Sequence, residues 1–279
     1  MPRQTNLIVA LPSEARPIID RFRLRHNNQA DGVKIYHGND MRLIVSGVGK
    51  IASAAAVGYI AGATPADVRH TWVNIGIAGH LYLPVGSVGL AHSIIDHASA
   101  ETYYPSIAFN PVCQTTALSC HANVTTTYAG EAICDMESSG FFAAATRFAD
   151  VEFIHCLKIV SDNAAVDIES LNRQTISALI AAQMDVIDNT LARLKDLDVT
   201  HHPSLPAAAL DALLERWHFT ANQKLQLGKL AHRWTLIEDA ETWPPWDALI
   251  DNNSARDVLA SVRAILEKAP LQLRQVPQP

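Results

Sequence analysis

Two acidic residues stand at the ends of apolar runs that are typical of buried strands. Glu137 follows the run 132–134 and precedes a predicted alanine-rich helix. Asp162 ends the apolar run 153–160. Because the carboxyl ends of strands form the ligand-binding edge of an open α/β sheet, we expect the two carboxylates to meet there. Paired carboxylates can act as a general acid and as a stabiliser of developing positive charge.

A third acidic residue, Glu14, stands in a similar place near the start of the chain. The run 7–11 predicts a buried strand, which ends at Pro12. Glu14 opens the following helix, with Ser13 as its expected N-cap. An acid in the first turn of a helix also complements the helix dipole. On spacing alone, this structural role is favoured over a chemical one.

Composition and charge argue against several classes of partner. The 279 residues are 48% hydrophobic and 18% charged, which is an ordinary globular balance. The formal net charge of -6 gives no reason to expect nucleic acid or an anionic membrane as a partner. No uncharged apolar run approaches about 18 residues, so we expect no membrane span.

Cysteine usage and the N-terminal stretch favour a cytoplasmic protein. The four cysteines show no C-x-x-C spacing, which predicts reduced and mostly buried thiols: Cys113, Cys120, Cys134 and Cys156. The first residues lack the charged start, apolar stretch and small-residue cleavage site of a signal peptide.

One glycine-rich turn imitates a dinucleotide-binding motif. Gly47-x-Gly49-x-x-Ala52 lies between a strand and a helix, and Asp67 follows at about the expected distance. However, the turn follows a predicted hairpin, 33–46, instead of opening a βαβ unit, and it lacks P-loop spacing. We therefore expect no nicotinamide cofactor. Backbone N–H groups at this helix start are still suited to hold an anion or a polar ligand.

The remaining elements divide the chain. The alternation of strands, glycine turns and helices predicts an α/β fold, a three-layer α/β/α sandwich with a mixed central sheet over residues 1–198. Residues 122–128 are interpreted as a strand end, and 168–197 as one long helix with an apolar stripe. Residues 199–206 are a linker, and 207–279 form a small helical appendix. The adjacent histidines 201–202 lack further ligands at metal-binding spacing, so no metal site is predicted.

Six short motifs occur in order along residues 6–197. They are A-L-P-S-E-A at 10–15, S-G-V-G-K at 46–50, N-I-G-I-A-G at 74–79, P-V-G-S-V at 84–88, D-M-E at 135–137 and S-D-N-A at 161–164. Together they resemble the nucleoside phosphorylase superfamily, in particular the branch that includes 5′-methylthioadenosine/S-adenosylhomocysteine nucleosidase. The resemblance implies cleavage of the N-glycosidic bond of a purine nucleoside, with adenine as the expected base. It also implies a homo-oligomer, with a dimer favoured, and neither a metal nor an organic cofactor.

The resemblance assigns roles to individual residues. Asp162 would be the general acid that protonates the purine N7, and Glu14 would hold and activate the attacking water. Glu137 would bind the ribose hydroxyls, with Met136 packed against the sugar. The remaining substrate contacts are expected from Gly47, Ile77, Ala78, Gly79, Ser161 and Tyr128, the last by stacking on the base.

Two departures from the family pattern leave alternatives open. Phosphorylases of this superfamily carry Arg and Ser or Thr where this chain has Asn74 and Ile77, which disfavours phosphorolysis. Arg16 and Lys158 are candidate anion contacts, and they keep a phosphate-dependent phosphorylase as an alternative. The nucleosidases also tend to have a hydroxyl-bearing residue at the position that Ile77 occupies here. A second alternative is therefore a nucleoside-binding protein without catalytic activity. A third is that 207–279 binds a partner or nucleic acid.

Overall fold

The computed structural model describes residues 3–27, 33–65, 68–125, 130–201, 207–237 and 243–268. It divides into two compact units, Met1–Leu197 and Asp198–Pro279. None of the helices in the described ranges is both long and apolar enough to span a membrane.

Strands dominate the first unit, and the second is helical. The strands are β1 (Arg3–Val9), β2 (Arg25–His26), β3 (Lys34–His37), β4 (Met41–Val45), β5 (Arg69–Gly79), β6 (Val88–Asp96), β7 (Thr102–Tyr103), β8 (Gln114–Cys120), β9 (Ile133–Asp135) and β10 (Ile154–Asp162). The α-helices are α1 (Pro12–Phe22), α2 (Lys50–Gly62), α3 (Ser138–Ala145), α4 (Arg173–Ala182), α5 (Met184–His201), α6 (Ala207–Arg216), α7 (Ala221–Ile237), α8 (Trp246–Leu249) and α9 (Ala255–Lys268).

The strands form one mixed sheet whose far part closes on itself. β1 lies between β4 and β5 and is parallel to both. β10 is parallel to β5 and antiparallel to β6. Because β5 also pairs with β9, and β6 with β8, the strands β5, β9, β8, β6 and β10 close into a ring. The ring brings the ends of several strands around one hollow.

Helices cover both faces of the sheet, each over its own apolar core. One core contains Val57 and Ile60 of α2 and Phe141 of α3. The other contains Ile18 of α1 and Ile180 of α4, together with apolar residues of α5. Apolar residues on both faces of the central strands explain the nearly continuous apolar runs in the sequence. The predicted three-layer sandwich with a mixed sheet is therefore confirmed.

Three local predictions were wrong. The expected helix 168–197 is a short 3₁₀ turn followed by α4 and α5, because the Asn172 side chain accepts hydrogen bonds from two backbone N–H groups and starts a new helix. The N-cap of α1 is Leu11 and not Ser13. The strand expected at 122–128 ends earlier, at Cys120, and residues 121–125 are irregular.

The second unit has an apolar core of its own. Its buried residues include Leu213, Trp217, Trp234 and Val262. The capping box expected at Thr220 is confirmed, because its hydroxyl accepts from the Gln223 backbone N–H while the Gln223 side chain accepts from the Thr220 N–H.

A glycine allows α2 and α3 to approach closely. A Cβ atom on Gly140 would lie 2.1 Å from the carbonyl oxygen of Lys50, which is backbone and cannot move cheaply. We expect Gly140→Ala to lower the free energy of unfolding by about 1–3 kcal/mol. Gly58→Ala in α2 is the matched control, since a Cβ there meets nothing within 4 Å and should stabilise the helix by about 0.5–1 kcal/mol. Urea unfolding measures both, and equal effects would contradict the close approach.

Candidate active site

One cavity lies where β1, β5, β9 and β10 end. The side chains of Glu14, Glu137 and Asp162 all line it, although they are far apart in the sequence. The other expected substrate-binding residues in its wall are Met136, Ile77, Ala78, Gly79 and Ser161. The structure thus brings the three predicted acids together at the edge of the sheet.

Glu14 is held in place by three backbone N–H groups. Its Oε2 accepts hydrogen bonds from Ala10 at 2.9 Å and Leu11 at 2.8 Å, and its Oε1 accepts one from Ile77 at 2.9 Å. Only 2% of the residue is exposed. Burial raises the pKa of Glu14 to about 7, although these N–H groups and the nearby Lys158 oppose the rise. Glu14 therefore exchanges a proton close to neutral pH.

The absence of a side chain at Gly76 makes room for Glu14. A Cβ atom at Gly76 would lie 2.9 Å from Glu14 Oε1 and 3.5 Å from Lys158 Nζ. Both polar groups therefore approach the backbone of β5 where any other residue would obstruct them.

Glu137 is bound by the glycine-rich turn. Its Oε1 accepts a hydrogen bond from the backbone N–H of Gly49 at 2.8 Å, directly before α2 begins. Its Oε2 lies 3.8 Å from Lys158 Nζ. Burial raises the pKa of Glu137, and the charge of Lys158 acts in the opposite direction. The turn that imitates a dinucleotide motif thus holds an anionic group that belongs to the protein itself.

Lys158 is a buried cation between the acids. Its Nζ lies 2.9 Å from Asp135 Oδ2, and almost none of its side chain is exposed. Asp135 is fixed in turn by the hydroxyl and backbone N–H of Ser138 at the start of α3. Burial alone would lower the pKa of Lys158, but the charges of Asp135 and Glu137 outweigh it and raise the pKa above its usual value.

Asp162 ends β10 at an irregularity of the sheet. The register between β10 and β5 shifts between Val160 and Asp162, and Asp162 then pairs with Gly79. The Ser161 hydroxyl donates to Asp162 Oδ1 at 2.5 Å. The residue is 1% exposed, so its carboxyl group faces only the cavity and the protein around it.

The structure does not bring every expected residue to the cavity. Arg16 lies on the solvent side of α1, where its largely exposed side chain pairs with Asp20 at 2.8 Å. Lys158 is occupied by the protein's own carboxylates, and Asn74 donates to the Ile8 carbonyl within the sheet. Gly47 is absent from the described wall of the cavity, which its neighbour Val48 lines instead. Tyr128 lies outside the described residues.

The sequence analysis missed the wall formed after β8. His121, Asn123, Val124 and Thr125 line the cavity. The sequence analysis interpreted the last three as part of a strand and gave His121 no role. Polar residues directly after the apolar Leu118 are the only sequence signal, and it is a weak one.

Within the described ranges, no group of three His, Cys, Asp or Glu side chains is arranged to hold a metal ion.

No family model matches the chain, and no curated protein matches it at a significant level. Several solved structures do match it. The 5′-methylthioadenosine/S-adenosylhomocysteine nucleosidase from Helicobacter pylori, bound to butyl-thio-DADMe-Immucillin-A, is 14% identical with a TM-score of 0.57, over 69% of this chain and 99% of that chain. The corresponding nucleosidase from S. pneumoniae is 19% identical with a TM-score of 0.55, over 70% and 100%. Futalosine hydrolase of Helicobacter pylori is 14% identical with a TM-score of 0.56, over 69% and 99%.

The fold is that of the nucleosidases. The matches span nearly the whole of these neighbours and about seven tenths of this chain, which is the share that the first unit makes up. The expected resemblance to the nucleosidase branch of the nucleoside phosphorylase superfamily is thereby confirmed at the level of the fold.

Glu14 should make stability depend on pH. Its folded pKa of about 7 lies above the usual 4.5, so its contribution is full below about pH 4.5 and is lost as the pH rises through about 7. From this group alone, the free energy of unfolding should fall by up to about 1.4 kcal/mol per pH unit in that window. Urea unfolding of the wild type and of Glu14→Gln between about pH 5 and pH 8 measures this. We expect a shallower slope for the variant, and equal slopes would contradict the assignment.

Proposed function

We propose that this protein hydrolyses the N-glycosidic bond of a purine nucleoside, with adenine as the favoured base. One observation supports this above all: three buried carboxylates, Glu14, Glu137 and Asp162, line a single cavity. Glycosidic cleavage passes through a cationic, oxocarbenium-like sugar, which nearby carboxylates stabilise. The nucleosidase fold agrees with this chemistry.

Glu14 is suited to hold the attacking water. A carboxylate offers about four acceptor sites, two on each oxygen. Oε2 already accepts two hydrogen bonds, whereas Oε1 accepts one and keeps a site for a water O–H. As the water oxygen bonds to the anomeric carbon, Glu14 accepts the released proton. A pKa of about 7 suits this role at neutral pH.

Asp162 and Glu137 act on the other two parts of the substrate. Asp162 gives a proton to N7 of the purine while the bond to the sugar breaks, so the base leaves as a neutral molecule. Glu137 accepts hydrogen bonds from the ribose hydroxyls, and Met136 packs beside the sugar. The Ser161 hydroxyl fixes Asp162 for this transfer.

Water is favoured over phosphate as the attacking group. A phosphate dianion requires cationic partners, and the described wall of the cavity contains neither arginine nor lysine. Lys158 is neutralised by Asp135 and Glu137, and Arg16 pairs with Asp20 on the surface. A phosphate in this cavity would face three acids without a compensating charge.

A non-catalytic nucleoside-binding protein is the second candidate. The observation that favours it is that Ile77 lines the cavity and offers no hydroxyl there, while its backbone N–H already binds the oxygen of Glu14 that would hold the water. In that case the cavity would bind nucleosides with no release of base.

Loss of the general acid should nearly abolish turnover. We expect Asp162→Asn to lower kcat for release of free base from adenosine or 5′-methylthioadenosine by about 10²–10⁴-fold, because the base would leave unprotonated. Asp20→Asn, at an exposed acid paired with Arg16, is the matched control and should keep wild-type activity. The assay is run with and without phosphate. Strict dependence of the wild type on phosphate would show that the protein is a phosphorylase and not a hydrolase. Binding without turnover in the wild type would favour the non-catalytic nucleoside-binding protein.

The rate should follow the ionisation of Glu14. Because the ionised form accepts the proton, kcat/KM should rise about tenfold per pH unit below pH 7 and then level off. The residual hydrolysis by Glu14→Gln should lose this dependence. A wild-type rate that stays constant from about pH 5 to pH 8, with the fold intact by circular dichroism, would argue against Glu14 as the base.

A further inference from the structure

The cavity wall contains one ordered polar ring that the proposed reaction does not use. His121 follows β8 directly and lines the cavity. Its backbone N–H donates to the Asp135 carbonyl at 2.7 Å, which joins this segment to the end of β9. The ring itself is half-buried and is held from two sides.

Two contacts fix the orientation of the His121 ring. Nε2 lies 2.9 Å from the Ser119 hydroxyl. The ring stacks on His97, with centroids 4.3 Å apart and planes inclined by 24°. Within the described part of the chain, the second nitrogen, Nδ1, has no hydrogen-bond partner. An imidazole in this arrangement presents one fixed donor or acceptor without loss of side-chain entropy on binding.

Its surroundings favour the neutral form of the ring. Burial and the neighbouring His97 lower the pKa of His121, and the charge of Asp135 opposes this only in part. A neutral imidazole has one N–H and one acceptor nitrogen. His121 is therefore suited to a polar, uncharged group of the ligand and not to an anion.

The sheet register relates His121 to the general acid. Asp162 pairs with Gly79, Gly79 with Cys134, and Cys134 with Ser119. Cys134 also lines the cavity, so the wall is continuous from Asp162 to the segment 119–125. Glu14, which would hold the water, belongs to α1, and the Gly49 N–H that holds Glu137 belongs to the turn before α2. A base whose N7 meets Asp162 would lie against Cys134 and the segment 119–125.

We propose that Nδ1 of His121 forms a hydrogen bond with the six-membered ring of the purine, at N1, N3 or the 6-substituent. His121 is then a specificity-determining residue, and Ser119 and His97 are positioning residues that orient it. The inference rests on the proposed function, because it needs a purine nucleoside in the cavity with its N7 at Asp162.

The test compares nucleosides that differ in one polar group of the base. The substrates are adenosine and three of its analogues. Purine riboside lacks the 6-amino group, 1-deazaadenosine lacks N1, and 3-deazaadenosine lacks N3. His121→Phe keeps a ring to stack on His97 but removes both nitrogens, and Ser119→Ala leaves His121 in place without its hydroxyl partner. The measurement is kcat/KM for base release from each nucleoside by the wild type and both variants, with folding checked by circular dichroism.

We expect His121→Phe to lower kcat/KM for adenosine by about tenfold or more, since a buried ligand group loses its partner. For one of the three analogues the loss should disappear, and that analogue identifies the atom that His121 contacts. Ser119→Ala should give the same pattern with smaller losses. Equal losses for all four nucleosides, or no loss for adenosine, would overturn the inference while the hydrolase proposal stands.

Failure of the proposed function has a different signature. If the wild type releases no base but binds adenosine, the same four-ligand comparison is made with dissociation constants from calorimetry, and the same pattern supports or overturns the role of His121. If the wild type neither cleaves nor binds any of the four nucleosides, both proposals fail.

Discussion

The site depends on one buried positive charge. Lys158 lies within the sheet, in contact with Asp135, near Glu137, and close to the space that Gly76 leaves beside Glu14. Several carboxylates could not be buried so close together without a compensating cation, because desolvation and mutual repulsion would leave them protonated. Lys158 lowers this cost for Glu137 and Glu14, yet burial still raises the pKa of both. The balance leaves the pKa of Glu14 at about 7, which suits the role proposed for it as the base that activates water.

The same interaction explains why two motif-based expectations about anions were misleading. A glycine-rich turn before a helix and a buried lysine are both suited to hold a negative charge. In this protein the charge comes from Glu137 and Asp135. The physical chemistry of the motifs was correct, but the partner was internal. A local motif indicates that an anion is bound, and only the packing shows whether that anion is a ligand or a side chain.

The chain has the nucleosidase fold at low sequence identity, because a fold depends on backbone geometry and apolar patterning more than on individual side chains. Close approaches at Gly76 and Gly140, and the ring of strands, need only small residues at a few positions and apolar residues elsewhere. Under the proposed function, the irregular wall after β8 would set substrate specificity, because loops positioned by a rigid scaffold commonly carry binding residues. The second unit forms a tryptophan-rich core of its own.

The sequence alone indicated the class of fold, because alternating apolar runs and turns are local signals, and it placed Glu137 and Asp162 at the ends of such runs. Glu14 became a candidate only through the resemblance to the nucleosidases, since its spacing favours a structural role. It did not determine which cation serves them, since Lys158 and Arg16 differ only in where the chain places them: one inside the sheet, the other on the exposed face of α1. It also missed His121, whose neighbours Ser119, His97 and Asp135 come from three strand ends. Charge balance and side-chain orientation depend on contacts between segments that are distant in the sequence, and only the tertiary structure supplies those contacts.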